Sequence, residues 1–361
     1  MTNINSTMYK EANANIASQL HTAHSSRHTM PIAVDASSNS TCEKGTRCYI
    51  CLGEDNEDEQ PLRRDCSCRG SDAGFVHLAC LVEHAASRSK KWNGRDLVEF
   101  SKPWEVCLCC FRFYQNKLAM DISSEFVAFV EKEFPGDVCK QIESLDMKLG
   151  VLVTMIGSLR PEEKFETSNV AHKILSLINQ LRVAKPNLPA SYLMREAHAY
   201  KSLGQISLQE RTGTGARLAV TYFEKQLELE HKIGDAEGAA DAKFSIALAR
   251  SKYEGSNDSN NELLLKVSQD VYKLYSAELG AEDAATINAG GNYAISLNNA
   301  KRGIEAEVLL KNLVAVSRRV HGPHHRITKS VELSLQWVHH TNAKLDAIKI
   351  RSQLKTTLVG R

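Results

Sequence analysis

Seven cysteines and one histidine stand at short spacings in the first third of this 361-residue sequence. Two pairs of thiols are separated by two residues, in Cys48-Tyr-Ile-Cys51 and in Cys107-Leu-Cys-Cys110. Between them, residues 66–80 (CSCRGSDAGFVHLAC) contain three thiols and one imidazole. Thiolate and imidazole are ligands that Zn²⁺ prefers, and a C-x2-C turn lets both sulfurs reach one metal ion. The candidate ligands, in chain order, are Cys48, Cys51, Cys66, Cys68, His77, Cys80, Cys107 and Cys110.

Eight ligands of this kind satisfy two tetrahedral zinc ions and leave no coordination position open. We therefore predict two structural Zn²⁺ ions, neither of them hydrolytic. Spacing alone allows either sequential or interleaved sites. Cys109 could replace Cys110 if the register of the last pair shifted, and we prefer Cys110 because an x2 spacing fits the turn better. The outlying Cys42 and Cys139 are expected to be spare thiols.

Composition limits the classes of partner. Eight of the ten cysteines lie between Cys48 and Cys110, a clustering that indicates a metal module rather than a disulfide framework. A formal net charge of +2 gives no general attraction to nucleic acid or to an anionic membrane, so we expect no nucleic-acid partner. Apolar runs stay well short of the roughly twenty residues that span a bilayer. We expect a chain without a membrane span, in the cytoplasm or nucleus.

The order and spacing of the eight ligands resemble the RING-CH (RING-variant) finger, which has one residue between its third and fourth ligands and histidine as its fifth. The segment RGSDAGFV before His77 also resembles the sequence of that family at this position, although it is one residue longer than the commonest form. The PHD finger is the alternative, but it generally places tryptophan nearer the seventh ligand than Trp104. The resemblance implies interleaved sites, with Cys48, Cys51, His77 and Cys80 on one ion and Cys66, Cys68, Cys107 and Cys110 on the other.

A function follows from this resemblance as an expectation. RING-type fingers bind a ubiquitin-conjugating enzyme on a shallow apolar surface and accelerate transfer by orienting the thioester, not by supplying a nucleophile. By resemblance, Ile50 occupies the usual contact position for the conjugating enzyme. The alternative role for Ile50 is a residue of the small core.

Three departures from the family's pattern concern this activity. Val82 and His84 stand where RING-CH proteins often have tryptophan. Leu108 follows the seventh ligand, where RING fingers frequently carry proline. Phe111 follows the eighth, where active RING fingers often carry a basic residue, although Arg112 is adjacent. Ligase activity is therefore a hypothesis that needs its own test.

Amphipathic segments separated by Pro- and Gly-containing turns follow Leu118, and nothing there indicates a strand. Apolar residues in 264–275 and in 174–181 recur at steps of three and four, which predicts one-sided helices. Pro161 followed by two acidic residues predicts the first turn of a helix.

Glycines at positions 234, 280 and 322 follow similar sequences, at intervals of 46 and 42 residues. Such a period is typical of a helical repeat array, in which stacked helix pairs bury a core that one pair cannot bury alone. We predict that one helix ends at each glycine and that the next begins just after it. The polar stretch 254–261 is expected to form an inserted loop.

One sequence pattern resembles the tetratricopeptide repeats of kinesin light chains. It consists of Leu279-Gly280, Thr286, Asn292-Tyr293-Ala294 and Glu305-Ala306. Armadillo or HEAT pairing is the alternative. Helical arrays present extended grooves suited to peptides, so we expect a protein or peptide target on the repeats.

These observations predict a mainly α protein in four parts. They are a disordered tail (1–41), a RING-CH-type zinc finger (42–116), linking helices or a degenerate repeat (117–187), and tetratricopeptide-like helical repeats (188–361). The function favoured is that of a ubiquitin-protein ligase or ligase adaptor, whose finger recruits a conjugating enzyme and whose repeats recruit a target. The alternative is a non-catalytic zinc-binding scaffold for protein–protein interaction.

Overall fold

The computed structural model describes residues 46–54, 61–66, 68, 74–92, 94, 96–154, 159–210, 212–253 and 258–359, with side chains except at 253 and 345–359. The tail predicted for residues 1–41 and Cys42 lie outside these ranges. The described chain is mainly α, which confirms the predicted fold class. It belongs to two compact units, one ending at Leu203 and the other beginning at Gly204.

The first unit starts with short elements. Strands β1 (Leu62–Arg63) and β2 (Val76–His77) pair in antiparallel fashion, with Leu62 opposite His77. Helix α1 (Leu78–Lys91) follows β2 directly, and α2 (Leu97–Glu105) begins after Asp96, whose carboxylate accepts a hydrogen bond from the Val98 N–H. Such a cap satisfies one of the free N–H groups of the first turn.

Longer helices complete this unit: α3 (Asn116–Glu133), α4 (Val138–Thr154) and α5 (Pro161–Ala184), with α4 packed on both α3 and α5. Pro161 occupies the first position of α5, as predicted, and the Arg160 N–H donates to the Glu163 carboxylate at 2.7 Å. Ile174, Leu177 and Ile178 are buried and Leu181 is half-buried, which confirms the predicted one-sided helix. Helix α6 (Ala190–Gln209) continues into the second unit.

The hydrophobic core of the described residues in 46–114 extends into α3. Trp104 on α2 is fully buried and stacks on Phe126 of α3 with ring centroids 4.9 Å apart. Its Nε1–H donates to the Ser89 hydroxyl at 2.9 Å. Near β1, the Asp65 carboxylate accepts the Leu118 N–H of the first turn of α3 at 3.1 Å. The short elements therefore share one core with a long helix.

The second unit consists of consecutive helices that each pack on the next: α7 (Gly213–Ile233), α8 (Ala236–Tyr253), α9 (Asp258–Glu278), α10 (Ala284–Asn299), α11 (Gly303–His321) and α12 (Arg326–Val359). Gly234, Gly280 and Gly322 follow the ends of α7, α9 and α11 with φ of 81°, 87° and 88°. This left-handed backbone favours glycine at a helix end. The predicted helix boundaries are confirmed.

The prediction of an inserted loop at residues 254–261 was wrong in part. Residues 258–261 form the first turn of α9, where the Asp258 carboxylate complements the positive end of the helix, and only 254–257 stay outside the described residues. The predicted apolar stripe of α9 is buried at Leu264, Val271 and Tyr275. Ala294 and Ala306, which belong to the predicted repeat pattern, are both fully buried.

Helices of the described residues include none that is both long enough and apolar enough to cross a bilayer.

Candidate metal centre

The structure brings the eight candidate ligands together in two groups of four. The first ligand group is Cys48, Cys51, His77 and Cys80, and the second ligand group is Cys66, Cys68, Cys107 and Cys110. Within each group, one ligand atom from every residue lies within 4.8 Å of the others. The groups alternate along the chain, so each joins segments that are distant in sequence. No further group of this kind occurs among the described residues.

Distances in the first ligand group match a tetrahedral site. Zn–S bonds of about 2.3 Å and Zn–N bonds of about 2.0 Å place two sulfurs about 3.8 Å apart and a sulfur and a nitrogen about 3.5 Å apart. His77 Nδ1 lies 3.3 Å from Cys51 Sγ and 3.7 Å from Cys80 Sγ. These side chains therefore need little movement to hold one tetrahedral ion.

The opposite ring nitrogen of His77 has a backbone partner. Its Nε2 lies 3.3 Å from the carbonyl oxygen of Glu54, which accepts a hydrogen bond when Nε2 carries the proton. A proton on Nε2 leaves the Nδ1 lone pair free to face the sulfurs. Strand β2 holds His77 in this buried position, and α1 places Cys80 one turn further on.

The second ligand group depends on a glycine. Cys68 Sγ and Cys107 Sγ are 3.7 Å apart, which is the separation of two sulfurs on one tetrahedral ion. Gly74 has a φ of 81°, and a Cβ at this position would lie 2.6 Å from the Cβ of Cys68. Only glycine fits here, because both the backbone and the neighbouring ligand exclude a side chain.

The two C-x2-C turns have the same backbone geometry. We call residues 48–53 the first knuckle and residues 107–112 the second knuckle. The four equivalent hydrogen bonds run from Leu52 N to Cys48 O, from Phe111 N to Cys107 O, from Cys48 N to Gly53 O and from Cys107 N to Arg112 O, each at 2.9 Å. In the first knuckle, the N–H groups of Ile50 and Gly53 also point at the Cys48 and Cys51 sulfurs at 3.4 Å. Such donors stabilise thiolates.

Neighbouring thiols shift one another's pKa values. A hydrogen bond from Cys66 lowers the pKa of Cys107 to about 5, and the same bond raises the pKa of Cys66. Burial raises the pKa values of Cys68 and Cys80 to about 12. In the second ligand group the thiolate is thus favoured at Cys107, whereas the raised pKa values of Cys66 and Cys68 favour their protonated thiols. A bound dication would displace those protons, as metal binding to cysteine requires.

The remaining sequence candidates lie outside the two groups. Cys109 is exposed and belongs to neither group, and Cys139 is a half-buried residue of α4. Ile50 is half-buried and packs against the finger core. Sequence reasoning missed the structural parts played by Gly74 and Asp65. A glycine six residues after a ligand is a weak signal, and the Asp65 contact joins segments 53 residues apart.

A comparison with known families finds one match, in the finger. Residues 48–93 match the family model of the RING-variant domain. The match includes six of the eight ligands and ends before Cys107 and Cys110. The predicted RING-variant resemblance is confirmed, in preference to the PHD alternative. Curated proteins provide no match to the chain.

Among solved structures, the chain is similar to a Podospora anserina protein of the kinesin light chain type with nearly identical TPR-like repeats. The two sequences are 11% identical, and the match covers 67% of this chain and 95% of that chain, with a TM-score of 0.39. The assignment of helical repeats rests on the helix pairs described above.

Proposed function

We propose that the two ligand groups each hold a structural Zn²⁺ ion. The observation that carries this proposal is the set of ligand atoms, three sulfurs with one imidazole nitrogen and four sulfurs, at the separations of a tetrahedral site. Zinc accepts both sets and has no preference that would distort them. With four protein ligands on each ion, no position remains for water or substrate, so the ions act on folding.

We further propose that the chain is a RING-type ubiquitin-protein ligase or ligase adaptor. The family match at residues 48–93 supports this function. The finger contributes binding and orientation of a conjugating enzyme, and no residue of this chain serves as a catalytic nucleophile. Orientation alone is a large catalytic term, because it converts a loose encounter into a reactive pose.

Ile50 is the proposed contact for the conjugating enzyme. It stands between the ligands of the first knuckle, and its side chain is half-buried against the finger core. The exposed part is available to a partner, while the buried part fixes its direction. Truncation of Ile50 therefore tests both roles, because a contact residue changes partner binding and a core residue changes stability.

The helical repeats are the proposed site for a protein or peptide target. Stacked helix pairs present extended surfaces, and helices α8 to α11 form two such pairs. The repeats would then select the protein that is ubiquitylated. We propose a cytoplasmic or nuclear location, where a reducing environment keeps seven ligand thiols free for metal.

The direct test is reconstitution. The zinc-loaded chain is incubated with ubiquitin, its activating enzyme, ATP and a panel of conjugating enzymes. We expect autoubiquitylation with at least one of them, and loss of this activity in Ile50→Ala with both zinc ions retained. No transfer with any conjugating enzyme would remove the ligase proposal and leave the zinc proposal intact.

A second candidate function is a non-catalytic scaffold in which zinc supports a helical protein. Two observations favour it: the finger core is continuous with α3, and Val82 and His84 replace the tryptophan common in this family. In that case the chain binds no conjugating enzyme, and Ile50→Ala changes no interaction. Titration of the native chain against the same panel separates the two functions.

A further inference from the structure

A small cavity lies between α8 and α9, two helices of the second unit that pack on each other. Its volume is about 230 Å³. An apolar cavity of about 150 Å³ binds benzene, so this cavity has room for one large aliphatic or aromatic side chain. Pockets for drug-sized compounds are larger, at about 300–1,000 Å³. The volume therefore suits a ligand of the size of a single amino acid.

The walls of the cavity are apolar and belong to the folded core. Ala236 and Ala240 line it from α8, and Val267, Val271 and Leu274 line it from α9. The two alanines leave the space open, because larger side chains at these positions would fill it. Four of the five residues also belong to the hydrophobic core of the second unit or pack against it, and Ala236 is the exception. An apolar group can therefore be buried here without rearrangement of the helices.

Two residues of opposite charge complete the lining. Lys243 comes from α8 and Asp270 from α9, and both are exposed. Within the described part of the chain, neither of them takes part in an ion pair or a hydrogen bond. One ammonium and one carboxylate are thus available beside an apolar cavity. The complementary ligand carries one negative and one positive group next to an apolar side chain.

The position of these charges narrows the class of ligand. Successive side chains of an extended peptide point to opposite faces. When one side chain enters the cavity, its neighbours in the peptide therefore point away from Lys243 and Asp270. Charges that meet both residues have to come from the backbone of the residue that fills the cavity. Backbone charges occur only at chain ends, and a free amino acid has both of them on one residue.

We propose that this cavity binds a free α-amino acid with an apolar side chain of the size of leucine or phenylalanine. The side chain enters between α8 and α9, the α-carboxylate pairs with Lys243, and the α-ammonium pairs with Asp270. Three points of attachment fix the handedness of the α-carbon, so the site distinguishes L from D enantiomers. The inference depends neither on zinc nor on the ligase function.

The first test is isothermal titration calorimetry of the full-length chain with L-leucine and with L-phenylalanine. We expect at least one of them to bind. Its amide lacks the carboxylate and its deaminated acid lacks the ammonium, and each should bind about two- to fivefold more weakly, because one exposed ion pair is lost. The D enantiomer should also bind more weakly than the L enantiomer.

The second test changes the cavity. Ala240→Leu fills the space, and we expect an unchanged or higher Tm with a loss of affinity of at least about tenfold, because the ligand side chain is no longer buried. Lys243→Gln and Asp270→Asn change exposed residues, so they should keep the Tm and each weaken binding about two- to fivefold. Lys301→Gln, an exposed lysine outside the cavity, is the matched control and should leave affinity unchanged.

Three results would overturn this inference. The first is a native chain that binds neither amino acid. The second is unchanged affinity in Ala240→Leu, in Lys243→Gln and in Asp270→Asn, which would place the ligand elsewhere. The third is equal binding of the amino acid and its amide, which would assign the cavity to the N-terminal residue of a polypeptide. None of these results affects the zinc proposal or the ligase proposal.

Discussion

In residues 46–114, two strands of two residues and helices of 14 and 9 residues surround two groups of ligands, whereas the helices of the second unit run from 16 to 34 residues. The fold of the finger depends on ligand side chains that meet at two sites. The fold of the repeats depends on apolar stripes that recur along the helices. Substitution of a few residues should therefore unfold the finger, whereas the stability of the repeats is shared among many residues.

The same residue type illustrates the difference. A Cβ added at Gly74 in the finger would collide with Cys68, whereas Gly234 and Gly280 in the repeats have open space where a Cβ would stand. All three have positive φ. Substitution in the repeats therefore has only a backbone cost, whereas substitution in the finger also displaces a ligand.

Removal of metal should produce the largest difference between the finger and the repeats. We expect chelation to abolish hydrogen-exchange protection in residues 76–91 and to leave that of 284–321 unchanged, because structural zinc contributes about 10–16 kcal/mol to small finger domains. Exchange is followed by mass spectrometry, with zinc added back as the control. Persistent protection of 76–91 in a metal-free chain would contradict the zinc proposal.

Trp104→Ala tests how far the finger depends on its shared core with α3. Trp104 is fully buried against Phe126 and Phe129, so we expect a loss of about 3–5 kcal/mol in the unfolding free energy of the first unit. Urea unfolding followed by circular dichroism measures it. Trp92→Ala is the control, since Trp92 is exposed. Equal effects of the two variants would show that metal alone holds the finger.

Gly74→Ala should damage one ligand group and spare the other. The left-handed backbone costs a residue other than glycine about 1–2 kcal/mol, and the added methyl meets the Cys68 side chain. We expect bound zinc to fall from two ions to one per chain, measured by elemental analysis. Gly136→Ala is the matched control, with no atom within 4 Å of its Cβ. Two zinc ions in Gly74→Ala would count against this tight fit.

Gly234→Ala should have the smallest effect. Its Cβ meets nothing, and we expect a loss of about 1 kcal/mol from the backbone alone, read as a lower Tm of the second unit. In the unfolding of the first unit, Gly150→Ala inside α4 should raise stability by about 0.5–1 kcal/mol. A large loss at Gly234 would show that the repeats, too, depend on single points.

Much of the helical fold follows from local sequence. Glycines at 234, 280 and 322 marked helix ends because the left-handed conformation is a property of one residue, and the stripe in 264–275 identified its buried face. The extent of α9 was harder, since the polar residues 258–261 resemble a loop and also suit an exposed first turn. The core between α2 and α3 depends on contacts that no local pattern reveals.

For the finger, spacing identified the eight candidate residues but left their division open. The choice between Cys109 and Cys110 differs by one residue, and only the geometry of the second knuckle separates an exposed thiol from one that points inward. Gly74 becomes significant only when Cys68 is seen beside it. Contacts between segments distant in sequence are where sequence reasoning ends.

The alternation of the ligands along the chain also determines the order in which the two ligand groups are completed during synthesis on the ribosome. The first ligand group is complete once Cys80 has emerged, whereas the second waits for Cys110, thirty residues later. At about 5–20 residues per second, this delay lasts about 1.5 to 6 seconds. During that interval Cys66 and Cys68 lack the other two thiols of their group, so a nascent chain is open to exchange of metal between its two sites.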